Sequence, residues 1–109
     1  MSILYKNAKV DLTTTNPTTV LTPANATTAI IKSILVSEDS GNADTITLTI
    51  TDTASAIFSL FKVKAVGANT TVELLTAPLV LAESEILKAT AATANRLHIV
   101  VSYMEISYN

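Results

Sequence analysis

The chain of 109 residues has no cysteine, no tryptophan, one histidine and two glycines. Without cysteine it has no disulfide bonds, no thiolate metal sites and no cysteine nucleophile. Because Gly41 and Gly67 are its two glycines, it cannot build the glycine-rich loop that binds phosphate groups in nucleotide-binding proteins. The stability of the fold must therefore come from side-chain packing and backbone pairing.

Charged residues are also scarce: they make up 15% of the chain, while apolar residues make up 49%. This balance excludes a disordered chain, which needs low hydrophobicity and high charge. The net charge is −2 and the basic residues are scattered, so no basic patch for nucleic acid is visible. No apolar run approaches the ~18 residues of a membrane-spanning helix. We therefore expect one compact domain with neither nucleic acid nor membrane as a partner.

The single histidine, His98, lies between Leu97 and Ile99 in a segment typical of a strand. A zinc site takes three or four ligands, and a general base needs an orienting partner, so one isolated imidazole predicts neither. We interpret His98 as a strand residue on the less buried face.

Carboxylates cluster at residues 38–44, around Gly41, and again at Glu83 and Glu85. The first cluster lacks the spacing and the closing glutamate of a calcium-binding EF-hand loop. Acidic residues at a turn usually bond the neighbouring backbone, and we give them that role here. Serine and threonine are abundant, but the chain has no GxSxG nucleophile motif. We expect no catalytic residue, no metal site and no cofactor, and hence a protein that is not an enzyme.

What the sequence has in quantity is alternation of apolar and polar residues. Residues 44–51 read DTITLTIT, in which Ile46, Leu48 and Ile50 alternate with threonines. Successive side chains of a strand point to opposite faces, so the three aliphatic residues would face a core. A strand with one buried and one polar face is typical of an antiparallel sheet.

Similar segments recur along the chain and predict about eight strands, spaced by roughly 8–12 residues with turn residues between them. They fall at 3–13, 18–22, 27–37, 44–51, 56–66, 70–76, 84–91 and 96–107, with a short extended piece at 79–82. This spacing favours an all-β fold, an antiparallel β-sandwich resembling a jelly roll.

Several segments allow more detailed expectations. Residues 27–37 are apolar on both alternating sets, which predicts a central strand or one whose second face is covered by a partner. The DSGNAD turn at 39–44 predicts a hairpin between its flanking strands. In 56–66 we expect the inward set to be Ile57, Phe61 and Val63. The segment 96–107 should be the longest strand, with Leu97, Ile99, Val101 and Tyr103 on one face and Val100, Met104 and Ile106 on the other.

The threonine-rich joint at 13–19 divides the chain into residues 1–15, an N-terminal extended arm or edge strand, and a sandwich domain at 16–109. A terminal segment frays unless a neighbouring subunit or its own sheet holds it. Tyrosines with apolar neighbours are enriched at interfaces, although Tyr103 also suits the edge of a core. The candidate subunit or capsid interface therefore comprises Ile3, Leu4, Tyr5, Tyr103 and Tyr108.

Two long segments carry a family resemblance: VLTPANATTAIIKSILVSEDSGNADTITLTI (20–50) and ANTTVELLTAPLVLAESEILKATAATANRLHIVVSYMEI (68–106). Their shared features are a TP…TTAIIKSI opening, a Ser-Gly-Asn-Ala-Asp turn, a PLVL stretch and a final strand ending in VSYMEI. The body from about Val20 to Ile106 thereby resembles small β-sandwich structural proteins of tailed bacteriophage virions. Related sequences often have an extra glycine in the opening turn, where this chain has Asn25.

The resemblance implies a non-enzymatic virion protein, assembled in the host bacterial cytoplasm, that acts by oligomeric assembly as an outer capsid decoration or cement protein. A tail, neck or baseplate component that anchors fibres is the alternative within this class. A carbohydrate-binding β-sandwich module is the alternative from another class. The partners expected are further copies of the chain, with a trimer favoured, and major capsid or tail proteins.

Overall fold

The computed structural model describes residues 1–108, which form nine strands. Asn109, the last residue of the predicted sandwich domain, lies outside the described residues. No helix within 1–108 is long and apolar enough to span a bilayer. The strands are β1 (Ser2–Asp11), β2 (Thr18–Leu21), β3 (Thr27–Glu38), β4 (Asp44–Thr51), β5 (Ile57–Val66), β6 (Thr71–Glu73), β7 (Leu79–Leu81), β8 (Ile86–Ala91) and β9 (Leu97–Ser107).

The strands form two antiparallel sheets, which confirms the predicted β-sandwich. The first sheet has the order β1-β9-β3-β6, with β7 also paired to β3, and the second has the order β2-β8-β4-β5. With β7 set aside, eight strands remain in the interleaved order of a jelly roll. The count exceeds the predicted eight because the short piece at 79–81 forms a ladder with β3.

The predicted hairpin at residues 39–44 is wrong, because β3 and β4 belong to different sheets. The turn has the expected chemistry, since Gly41 adopts a φ of +83°. Turn chemistry, however, does not determine whether the next strand pairs or crosses over. Here both strands bury an aliphatic face, and the chain crosses so that these faces meet across the core.

The core lies between the two sheets and contains the predicted inward residues of β4 and one of the two alternating sets of β9. Ile46 and Leu48 are fully buried, and Ile50 packs against them. In β9 the buried face is the one with Leu97, Ile99, Val101 and Tyr103, and the face with Val100, Met104 and Ile106 is half-buried. The prediction that this strand is the longest is wrong by one residue, since β9 has 11 residues and β3 has 12.

The additional residue of β3 is a β-bulge. Ile31 pairs with Tyr103 and Ser33 with Ser102, so Lys32 has no partner in β9. The buried positions therefore shift from Ala29 and Ile31 before the bulge to Ile34 and Val36 after it. This shift explains why both alternating sets of this strand are apolar.

Glu73, at the end of β6, binds the backbone at the bulge. Its carboxylate accepts hydrogen bonds from the Ser33 hydroxyl and from the Ile34 amide, the latter at 2.8 Å. Partial burial raises the pKa of Glu73, but the Ser33 hydroxyl and the neighbouring amides lower it further, and the net pKa lies below its usual value. The last side chain of the short strand β6 therefore supplies hydrogen-bond acceptors to the donors at the bulge.

The predicted inward set of β5 is wrong for two of its three members. Phe61 packs against the core, together with Leu60, whereas Ile57 and Val63 are exposed. The register of β5 against β4 shifts twice, and Val63 has a positive φ of 52°. Its amide donates to the Thr47 hydroxyl at 3.1 Å. A simple alternation cannot cross these irregularities, which explains the error.

Strand β1 forms one edge of the first sheet and pairs with β9 along its ten residues. Ala8 and Val10 pack against the core, and Leu12, just after the strand, is fully buried. The division of the chain into 1–15 and 16–109 stays a prediction.

Candidate assembly surface

The outer face of the first sheet carries a contiguous apolar surface. Because side chains alternate, odd-numbered residues of β1 and even-numbered residues of β9 point away from the core. The pairings Tyr5–Met104, Met104–Ile30 and Ile30–Val80 place four apolar side chains in one row across β1, β9, β3 and β7. Ile3 and Ile106 form the adjacent pair. We call this surface the apolar patch: Ile3, Tyr5, Ile30, Val80, Met104 and Ile106.

The apolar patch is accessible to solvent. Tyr5 is 81% exposed, Val80 58% and Ile3 50%, while the other three residues are half-buried. Residues opposite one another on paired strands have Cβ atoms about 5 Å apart, so these side chains form a continuous surface. A contiguous exposed apolar surface of this kind is a candidate site of association.

The five predicted interface residues take different places. Ile3 and Tyr5 belong to the apolar patch, and Leu4 lies on the opposite face of β1, paired with Glu105. Tyr108 is exposed, and its hydroxyl lies 2.8 Å from Thr28 Oγ1. Tyr103 is 8% exposed and belongs to the hydrophobic core, in line with its alternative interpretation as a core-edge residue.

The inward-pointing positions at the start of β1 are also accessible. Leu4 is exposed, and Lys6 donates to Glu105 Oε1 at 3.0 Å. The hydrogen bond and the negative charge of this carboxylate raise the pKa of Lys6. The first sheet therefore extends past the second at this end, and both faces of β1 are available there.

The four edges of the sandwich differ in how far they are protected. β2 has four residues between Pro17 and Pro23, and β6 and β7 have three residues each, separated by Pro78. β5 is long but carries the two register shifts described above. β1 has ten residues, no proline and no register shift against β9. It is thus the one long, regular edge among residues 1–108, and such edges recruit further strands.

His98 lies on the same outer face, at the end far from the apolar patch. Its Nε2 is 3.2 Å from Asp11 Oδ1, and its Nδ1 is 3.7 Å from Asp39 Oδ1. It is half-exposed, which confirms the predicted position on the less buried face. An exposed arrangement of this kind is a surface ion pair of small energetic value when the imidazole is protonated. Within 1–108, no three acidic or histidine side chains are placed to hold a metal ion.

Four of the five acidic residues in the two clusters bond to backbone amides, and the fifth, Asp39, lies near His98. Glu38 accepts from several turn amides, and Asp44 accepts from Thr93 N at 3.0 Å. Glu83 accepts from Ala26 N at 2.7 Å, and Glu85 accepts from Ala82 N at 2.7 Å. These carboxylates therefore fix turns.

Comparison with known proteins does not assign the chain to a family. No family model matches it, and no curated protein matches it. A solved structure of the cyanophage Pam1 capsid asymmetric unit contains a chain similar to this protein, with a TM-score of 0.43 and 17% identity, covering 94% of this chain and 83% of that chain. A similarity of this size does not assign the protein to a family.

Proposed function

We propose that this protein is a non-enzymatic structural component of a bacteriophage virion, acting as an outer capsid decoration or cement protein. The observation that carries the assembly role is the apolar patch beside the unprotected β1 edge. The virion setting is supported by the resemblance of residues 20–106 to phage sandwich proteins. In this role the protein binds other virion proteins and copies of itself, and performs no reaction.

The geometry suits a decoration protein in physical terms. Two sheets packed on an aliphatic core give a rigid body, and the apolar patch offers a broad face whose association with a capsid would remove apolar area from water. Charged residues are few, so burial of this face leaves few charges to desolvate.

The apolar patch should carry particle binding. The double variant Ile3→Ser with Tyr5→Ser is expected to lose binding to purified virions that lack the protein, because it removes two of the most exposed apolar side chains of the patch. The folded state should persist, since neither side chain is in the core. Co-sedimentation with particles measures the binding.

A matched control is the double variant Ile57→Ser with Phe58→Ser, which removes exposed apolar side chains from the edge of the second sheet. It should bind like the unmodified protein. Equal losses in both double variants would show that binding follows general hydrophobicity and not the patch.

Position in the particle tests the function directly. Antibody–gold labelling and quantitative mass spectrometry of virions from the encoding phage should find the protein over the capsid surface, at a copy number comparable with that of the major capsid protein. Labelling confined to the tail, neck or baseplate, at a low copy number, would favour the fibre-anchoring alternative. A protein missing from purified virions contradicts both.

One observation favours the carbohydrate-binding alternative. The exposed ring of Tyr5 borders a shallow groove lined by the polar residues Asn7, Lys32 and Ser102. Sugars stack on exposed aromatic rings and bond to polar neighbours. Binding on a glycan array that is lost in Tyr5→Ala would support this alternative, and an array without hits would remove it.

A further inference from the structure

We infer that β1 pairs antiparallel with β1 of a second copy of the chain, about a two-fold axis perpendicular to the first sheet. The regular edge strand β1 offers an uninterrupted row of backbone donors and acceptors over ten residues, whereas the other edge strands are shorter or irregular. A two-fold contact uses the same strand twice and closes on itself. The inference deepens the assembly role proposed above. It rests on that role in one respect, the use of β1 as a contact surface.

Strand geometry restricts this pairing to two registers of near-complete overlap. A two-fold axis perpendicular to the sheet keeps each side chain on its own face. Directly opposite residues must then be both odd-numbered or both even-numbered, so the axis lies midway between two copies of the same residue. The middle residues of Ser2–Asp11 are Lys6 and Asn7. One of these two residues therefore faces its own copy across the axis.

Charge selects between the two registers. An axis at Lys6 places this lysine directly opposite Lys6 of the second copy, and like charges in that position destabilise a sheet. An axis at Asn7 opposes two uncharged amides, which can hydrogen-bond to each other. The same register places Leu4 opposite Val10 of the second copy, an aliphatic pair, and Tyr5 opposite Lys9 of the second copy, a cation near an aromatic ring. We therefore assign the axis to Asn7.

The pairing has a consequence for function. The perpendicular axis leaves both apolar patches on the same side of one continuous sheet. A two-fold pair would then present two patches to a single surface, which raises avidity without any new kind of contact. Such a pair differs from the trimer expected from the sequence.

Cysteine substitution tests the register, because the chain has no cysteine of its own. Directly opposite residues have Cα atoms about 5 Å apart, within disulfide range. Under mild oxidation Asn7→Cys should form a disulfide-linked dimer on a non-reducing gel. Lys6→Cys and Ala8→Cys should not, since two positions of offset separate the Cα atoms by roughly 8 Å. Thr53→Cys, in the exposed turn between β4 and β5, is the collision control.

A charge exchange at Asn7 tests the same contact without a covalent bond. Asn7→Lys or Asn7→Asp alone should weaken dimerisation several-fold in light scattering, and an equimolar mixture of the two should restore it. The thermal stability of the monomer should not change, since Asn7 is exposed. A protein that is monomeric at every concentration, a trimer by mass, or a disulfide that forms best at position 6 overturns the inference.

The inference and the proposed function fail separately. If the protein is found on virions but the Asn7→Cys variant forms no disulfide-linked dimer, the pairing alone is overturned. A crosslinked dimer of a protein that purified virions lack overturns the virion role alone.

Discussion

Replacement of Glu38 by alanine is expected to lower the melting temperature by on the order of 10 °C. The side chain is 1% exposed, although it is charged and stands at the end of a strand. Its carboxylate accepts the Ser40 hydroxyl and a set of backbone amides: Ser40 N at 2.9 Å, Gly41 N at 3.1 Å, Asn42 N at 3.2 Å and Asn69 N at 3.1 Å. One side chain thereby ties the β3–β4 turn to the β5–β6 turn, and its removal leaves these donors without partners.

Glu83→Ala is the matched control for this experiment. Its carboxylate accepts one amide, that of Ala26, from an exposed position. We expect a shift in melting temperature of no more than about 2 °C, because water can replace a single exposed acceptor. Similar losses in both variants would contradict a special role for Glu38. Scanning calorimetry at neutral pH measures both.

The contribution of Glu38 should disappear in acid. The Ser40 hydroxyl lowers the pKa of Glu38 most, the amides of Asn69, Ser40 and Gly41 lower it further, and burial opposes them, which leaves a pKa of about 2 against an ordinary 4.5. A depressed pKa in the folded state means that the stabilisation is complete above pH 4.5 and is lost as the pH falls towards 2. The difference in melting temperature between the unmodified protein and Glu38→Ala should therefore shrink over this interval, and a constant difference would contradict the assignment.

The role of Glu38 illustrates what the sequence can predict at a turn. The local sequence indicates that Gly41 can adopt a positive φ, as it does, and that acidic residues around it bond to the backbone. The bond to Asn69 joins segments 31 residues apart. The sequence of the 39–44 turn contains no information about the segment around Asn69. The contact between Glu38 and Asn69 is therefore visible only in the folded structure.

The assembly surface was predictable to a similar extent. Ile3 and Tyr5 are recognisable as apolar residues in a terminal segment. The second apolar sets of β3 and β9, which include Ile30 and Met104, are visible in the sequence as well. Their union into one row depends on the register of four strands, and a sequence without cross-strand information does not fix that register.

At the β3 bulge the structure departs from simple alternation of inward and outward residues. Substitutions of the adjacent residues Ile34 and Leu35 test the bulge. Ile34 is fully buried, whereas Leu35 is 37% exposed on the outer face. Ile34→Ala is expected to cost about 3 kcal/mol of unfolding free energy, from lost burial and the cavity that remains. Leu35→Ala should cost less than about 1.5 kcal/mol, because the site opens to solvent and leaves no closed cavity.

Urea denaturation with unchanged m-values measures both changes. A strand without the bulge would keep one inward set throughout, and Ile31, which is fully buried, would then place Leu35 in the core and Ile34 outside it. The order of the two free-energy changes would be reversed in that case. Because the two variants remove aliphatic side chains of equal size from neighbouring positions, their difference reports the direction of the side chains after Lys32. A larger loss in Leu35→Ala would therefore contradict the bulge at Lys32 and the burial of Ile34 and Val36 that follows from it.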